Sequence, residues 1–291
     1  MRLLRHTNVK ETLLSSGVFL WCLCLGLPAL GQSKNSRPID GERLNYVVSY
    51  QWGPFYLEVG DVAFTTQSLE YPGNQLWSFE GWGTSRDHWN WFYEVNSVYA
   101  SLADDALQPM NFQRKGREGS HRYDRWYFLG DSTELSWISL DDELESGAIE
   151  RSPTAQAYDV MTAVHSCRHL PWESTAPGDT LPLLLLLDGE VHETFLAFEG
   201  NTEHTDPTTG ASVPCWAFSP TLIDGTVFKA GDEMRVVVTA DERRLPLYVE
   251  TELVVGKAKV YLDSWERLSD ENMRAFRAAA NRDRDAALNR K

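Results

Sequence analysis

"MRVVVTADERRLPLYVETELVVGKAKVYLDSWERL", residues 234–268, decides the fold class. Three runs rich in β-branched and aromatic residues, 234–241, 245–256 and 257–268, follow one another directly. Asp241-Glu242 supplies the first tip and Gly256 the second, so the stretch reads as consecutive antiparallel strands. The same texture recurs upstream at 43–50, 56–68, 75–84, 88–95, 122–130, 133–140, 181–189, 190–200 and 213–220. Turn chemistry separates several of these runs: Tyr71-Pro72-Gly73-Asn74, Asp104-Asp105, Gly130-Asp131-Ser132 and Gly189. This spacing predicts a mainly β chain, an antiparallel calycin-like barrel or a strongly curved β-sandwich.

Two segments break the pattern and predict helices. In "SPTAQAYDVMTAVHSCRHLP", Ser152 offers an N-cap, Pro153 suits the first turn and Pro171 is a stop, which predicts a helix over about 153–170 between two β halves. Ala157, Val160, Met161, Val164 and Cys167 would form its apolar face. Residues 265–291 are Ala-rich with alternating charge. They predict a C-terminal helix or tail, docked at most through Met273, Phe276 and Leu288.

The first 31 residues have the layout of a secretory signal peptide: Arg2, Arg5 and Lys10, then an apolar run ending Ala29-Leu30-Gly31. The expectation is export to the periplasm or outer-membrane periphery of a bacterium, with residues 32–264 as one β-rich domain. No integral membrane segment is expected after cleavage. Cleavage removes three basic residues and one acidic residue, taking the net charge from −15 to −17. That sign excludes simple phosphate-backbone binding, so nucleic acid is not an expected partner. Cys167 and Cys215 remain after cleavage. An oxidising compartment permits a disulfide between them, and two buried thiols is the alternative.

Candidate site residues come from chemistry and clustering. Trp89, Trp91 and Tyr93 alternate within 87–101, close to Trp82. A strand there would put aromatic rings on one face, suited to a sugar ring, an apolar chain or simple barrel packing. Arg168, near the end of the predicted helix, is the candidate for gripping an anionic group. His88 is the candidate general base. His165 and His169 share a helical face, but Cys167 points away from them, and this reads as surface histidines rather than a metal site. No Gly-x-Ser-x-Gly, His-Glu-x-x-His or phosphate-cradling loop occurs, and no cofactor is expected.

Three ordered motifs carry a resemblance. Gly41-Glu42, Leu44 and Tyr46 come first, then Asp159, Val160 and Arg168, then Thr239, Asp241, Arg244 and Pro246. Together they resemble domain-of-unknown-function family 3108 across about 40–264. The resemblance implies an exported bacterial β-rich domain and supplies no activity. The expectation is therefore a non-enzymatic envelope protein that binds a lipid-like or glycan ligand in an aromatic-lined β cavity. The alternatives are a cell-envelope or polysaccharide-acting hydrolase or lyase, and an envelope assembly or scaffold component with a protein partner.

Overall fold

The computed structural model describes residues 37–91, 94–129, 134–140, 144–150, 157–187, 190–205, 210–221, 234–253 and 256–288. The predicted signal peptide and Tyr93 lie outside them. The described chain forms β1 (Glu42–Trp52), β2 (Phe55–Tyr71), β3 (Asn74–Ser85), β4 (Val95–Ala103), β5 (Pro109–Glu118), β6 (His121–Leu129), β7 (Glu134–Leu140) and β8 (Leu144–Glu150). A two-residue strand β9 (Ala157–Tyr158) precedes helix α1 (Val160–Arg168). Strands β10 (Thr180–Leu187), β11 (Glu190–Thr205), β12 (Ser212–Pro220), β13 (Met234–Thr239), β14 (Pro246–Glu252) and β15 (Lys257–Arg267) follow, and α2 (Asp270–Leu288) closes the described chain.

All the strands belong to one sheet, ordered β8-β7-β6-β5-β4-β3-β2-β1-β15-β14-β13-β12-β11-β10-β9. Every pairing is antiparallel except β9 with β10. Two meanders, β1–β8 and β10–β15, are joined where β1 pairs with β15 (Tyr46 opposite Leu262). The sheet is not closed, yet it curls on itself. Leu186 of β10, near one edge, packs in a single apolar cluster with Trp77, Phe79, Phe112 and Tyr127 of β3, β5 and β6.

Period-two alternation sets the two faces. On β3, Trp77, Phe79 and Gly81 face inward, where a Cβ on Gly81 would meet the Phe64 ring at 2.9 Å and the Met161 sulfur at 3.2 Å. On β12, Trp216 and Phe218 join the inner cluster around Tyr158, Leu170, Trp172 and Val238. Cys215 and Ala217 instead pack with Val237 in another cluster. Helix α1 crosses the inner face and contacts β3, β4, β9 and β10.

The C-terminal helix is anchored on the outer face. Met273 is fully buried. Phe276 meets Trp82 edge-on at 5.2 Å, and the Arg43 guanidinium carbon lies 3.9 Å from the centre of its ring. Arg277 pairs with Glu80 at 3.0 Å. The Leu288 side chain lies outside the described residues.

Several sequence expectations are corrected. Helix α1 begins at Val160 rather than near 153, because Asp159 caps it and Ala157–Tyr158 are extended. The strand expected over 88–95 does not form over its described residues before Val95: Asp87–Trp89 form a short 3-10 turn, and β4 starts at Val95. Among the described residues no helix is long and apolar enough to cross a membrane.

Candidate functional site: an apolar cavity under a locked helix

Helix α1 is short, and its position depends on buried polar contacts at both ends. At its N-terminus the Asp159 carboxylate accepts from the backbone N–H groups of Met161 (2.7 Å) and Thr162 (3.0 Å). These would otherwise be orphan helix donors. The other carboxylate oxygen accepts from the Ser101 hydroxyl of β4 at 2.7 Å, tying the cap to the sheet. Burial pushes the Asp159 carboxyl up to about 6, with Ser101 and the two backbone donors restraining it.

The C-terminal end is fastened through arginine. Arg168, 1% exposed, donates in a bidentate pair to Glu42 of β1 at 2.7 and 2.9 Å. Its remaining contacts go to the carbonyls of Arg244 (2.9 Å) and Arg243 (3.0 Å). Glu42, also 1% exposed, accepts a further bond from the Trp265 indole at 3.1 Å. Arg244 returns the arrangement. Its guanidinium donates to the carbonyls of Arg168 (3.1 Å) and Leu170 (2.6 Å) at the end of the helix, and it pairs with Glu173. A cation placed on those last carbonyls complements the helix dipole.

Arg244 can reach them because its backbone sits at φ 49°, and the preceding turn holds it there. Asp241 accepts from the backbone N–H groups of Arg243 and Arg244, both at 3.1 Å, and from the Thr239 hydroxyl at 2.6 Å. The Tyr46 hydroxyl completes the chain of contacts by donating to the Pro246 carbonyl at 3.0 Å. The motif residues Glu42, Tyr46, Arg168, Thr239, Asp241, Arg244 and Pro246 thus form one connected fastener.

Beneath the helix lies a cavity of about 490 Å³. Its wall is almost wholly apolar, with Leu44, Leu185, Val236 and Val260 typical of it and Tyr46, Phe64, His165 and Phe218 its aromatic members. Val164, on the helix face that lines it, is 37% exposed although the rest of α1 is largely buried, so the cavity itself is open to solvent. The helix end sits by Glu42 at the start of β1, while Met234 lines the cavity farther along the sheet, toward the β1–β2 tip.

The expected site residues fall in other places. Arg168 borders the cavity, but its guanidinium is committed to Glu42 and two carbonyls, which argues against the anion grip expected of it. Trp82 is on the outer face against α2, beside a separate 240 Å³ recess that also involves Arg43 and Asp263. The Trp89 indole donates to the Glu58 carbonyl at 3.0 Å, and Trp91 is 80% exposed. His88 sits beside Trp89, with the ring centres 5.0 Å apart. None of Trp82, His88, Trp89 and Trp91 is among the described residues that line the cavity, whose wall is mainly aliphatic instead.

His165 and His169 are buried rather than at the surface. His165 stacks on Phe79 at 4.0 Å and forms part of the cavity wall. Burial, then the Arg168 charge, hold both His165 and His169 well below the usual imidazole range, so both are neutral. Among the described residues no cluster of His, Cys, Asp and Glu could hold a metal. Cys167 and Cys215 are free thiols. Their separation follows from the register: Cys167 points into the inner cluster from α1, while Cys215 is on the opposite face of β12 from Trp216. Burial pushes the Cys167 thiol up to about 12, so it is protonated and inert.

What sequence reasoning missed is the cavity wall itself. Its residues come from many strands, and the "LPLLLLL" run of β10 was its one visible trace in the sequence.

No curated protein matches the chain. A beta-barrel-like protein of domain of unknown function 1849 from Brucella abortus, known from a crystal structure, is similar in fold. Its TM-score is 0.52 at 8% identity, over 80% of this chain and 99% of that one. The family described as "Protein of unknown function (DUF3108)" matches residues 45–263. With the match spanning most of the chain and the motif residues forming a single fastener, this chain belongs to the DUF3108 family.

Proposed function

We propose that the protein is a non-enzymatic binding protein for an uncharged or weakly polar lipid-like molecule, acting in the bacterial envelope to which its N-terminal sequence points. The observation that carries this reading is the aliphatic, solvent-connected cavity of about 490 Å³, which falls within the usual size of ligand sites. At roughly 30 Å³ per methylene-sized group it takes on the order of 16 heavy atoms. Burying that many methylenes at about 0.8 kcal/mol each gives a gross gain of ~13 kcal/mol. Association costs at least ~4 kcal/mol, which leaves affinity near the micromolar range. A glycan fits poorly, because sugar hydroxyls need donors and acceptors that this wall does not present.

The test is binding of the uncharged dye N-phenyl-1-naphthylamine, and its displacement by hexadecanol, to the intact protein and to Val164→Trp. The larger side chain enters the cavity at a position that is already solvent-exposed, so the melting curve should stay close to the parent's. Dye affinity should fall at least tenfold. A parent protein that takes up no dye, or a Val164→Trp variant that binds as well as the parent, sinks the proposal.

A further inference from the structure

Near one end of the cavity several large aromatic residues are exposed. Trp52 and Phe55, directly opposite in the β1–β2 register, are 58% and 60% exposed, with ring centres 6.3 Å apart across the Gly53-Pro54 tip. Tyr56 is 49% exposed and Trp91 80%. Trp91 belongs to the same rim: its neighbour Trp89 bonds Glu58 of β2, and Ser85, just before this connection, pairs with Gly60.

Register places this rim close to the cavity. Gln51 pairs with Lys257, Thr251 pairs with both Ala258 and Met234, and Met234 lines the cavity. The charges beside the rim are paired among themselves. Arg86 binds both Glu58 and Asp61, and Lys257 binds Glu250 and Glu252. Among the described residues of the rim there is no cationic stripe, and the chain carries a net charge of −15. Exposed Trp, Phe and Tyr around neutralised charges match the water–hydrocarbon interface of a bilayer, where amphipathic rings settle at headgroup depth. A basic face would instead select anionic lipid, and this rim lacks one.

We propose that the Trp52/Phe55/Tyr56/Trp91 rim docks the protein on a zwitterionic lipid surface, with the Met234 end of the cavity toward the bilayer so that the apolar ligand passes between membrane and cavity. The transfer role rests on the cavity reading above. The docking itself does not.

The experiment is co-flotation of the intact protein with phosphatidylcholine vesicles, together with quenching of its tryptophan emission by brominated phosphatidylcholine. The parent should float and be quenched. Trp52→Ala/Phe55→Ala should partition at least tenfold more weakly with an unchanged melting curve, since both side chains are exposed. Val164→Trp should float like the parent while losing dye uptake, which separates the two proposals. Adding phosphatidylglycerol should leave flotation unchanged or weaken it. Docking is overturned if the parent does not float, if Trp52→Ala/Phe55→Ala floats equally well, or if flotation requires phosphatidylglycerol. It is also overturned if the paired substitution abolishes self-association on sedimentation while leaving flotation intact, since the rim is then a protein interface.

Discussion

Removing the charge of Glu42 tests the fastener most directly. Glu42 and Arg168 are each 1% exposed, and their bidentate contact is the main counter-charge of the buried guanidinium. Breaking one side of a buried pair costs about 3–5 kcal/mol, because the other charge is left in a low dielectric. Glu42→Gln keeps an oxygen for the Trp265 indole, so the low end, ~3 kcal/mol, is expected. For a domain of this size that lowers Tm by about 6–12 °C. Arg168→Met should cost more, ~5 kcal/mol, because it strands the Glu42 carboxylate and leaves the Arg243 and Arg244 carbonyls without their donors. Glu42→Met with Arg168→Met removes both charges, leaving mainly the carbonyl loss of ~2 kcal/mol. Urea unfolding followed by tryptophan fluorescence reads all three variants. The fastener account requires the double variant to be more stable than Arg168→Met alone. Additive losses, or a Glu42→Gln cost below ~1 kcal/mol, would refute it.

Stability should fall on mild acidification. His165 and His169 are held well below the ordinary imidazole value of 6.5. The unfolded chain therefore takes up protons that the folded chain does not, so stability is full above 6.5 and declines below it, by up to ~1.4 kcal/mol per histidine per pH unit. Asp159, raised to about 6, works in the opposite sense, and its protonation should blunt the decline below that pH. Urea midpoints between pH 8 and 5 check this, and His165→Phe should roughly halve the slope between 6.5 and 6. Gly81→Val should destabilise by more than ~1 kcal/mol, because its side chain would drive into Phe64 and Met161. Met273→Ala should cost about 2–5 kcal/mol, read by urea unfolding, and should raise the proteolytic sensitivity of α2 before that of the sheet.

Much of the architecture was legible because strands announce themselves through composition. Residues 234–268 show three strands and two tips, and β13, β14 and β15 follow them closely. Strand β5, "PMNFQRKGRE", was missed. Its inward positions include Phe112, Arg114 and Gly116, so apolar alternation is diluted by charge and by a glycine packed on Ser97. The opposite error occurred at 88–95, where alternating aromatics suggested a strand. There Asp87–Trp89 form a 3-10 turn, and the Trp89 indole bonds Glu58, a partner that only the folded sheet supplies.

By itself the sequence determined the β-rich class, the inserted helix and the motif set that marks the family, since each follows from local pattern or ordered residues. Its motifs also named the residues of the fastener without revealing that they touch. Glu42 and Arg168 are 126 positions apart, and Arg168 and Arg244 are 76. Only the tertiary structure decided that these charges meet and that Cys167, on α1, and Cys215, on β12, pack in different clusters. It alone decided that the cavity wall is aliphatic and the tryptophans lie outside it. The physical reason is the same in each case. An antiparallel sheet of alternating faces can curl in more than one way, and which side becomes the interior is settled by which side chains pack under α1. That is a sum over contacts between distant strands, and no short stretch of the chain encodes it.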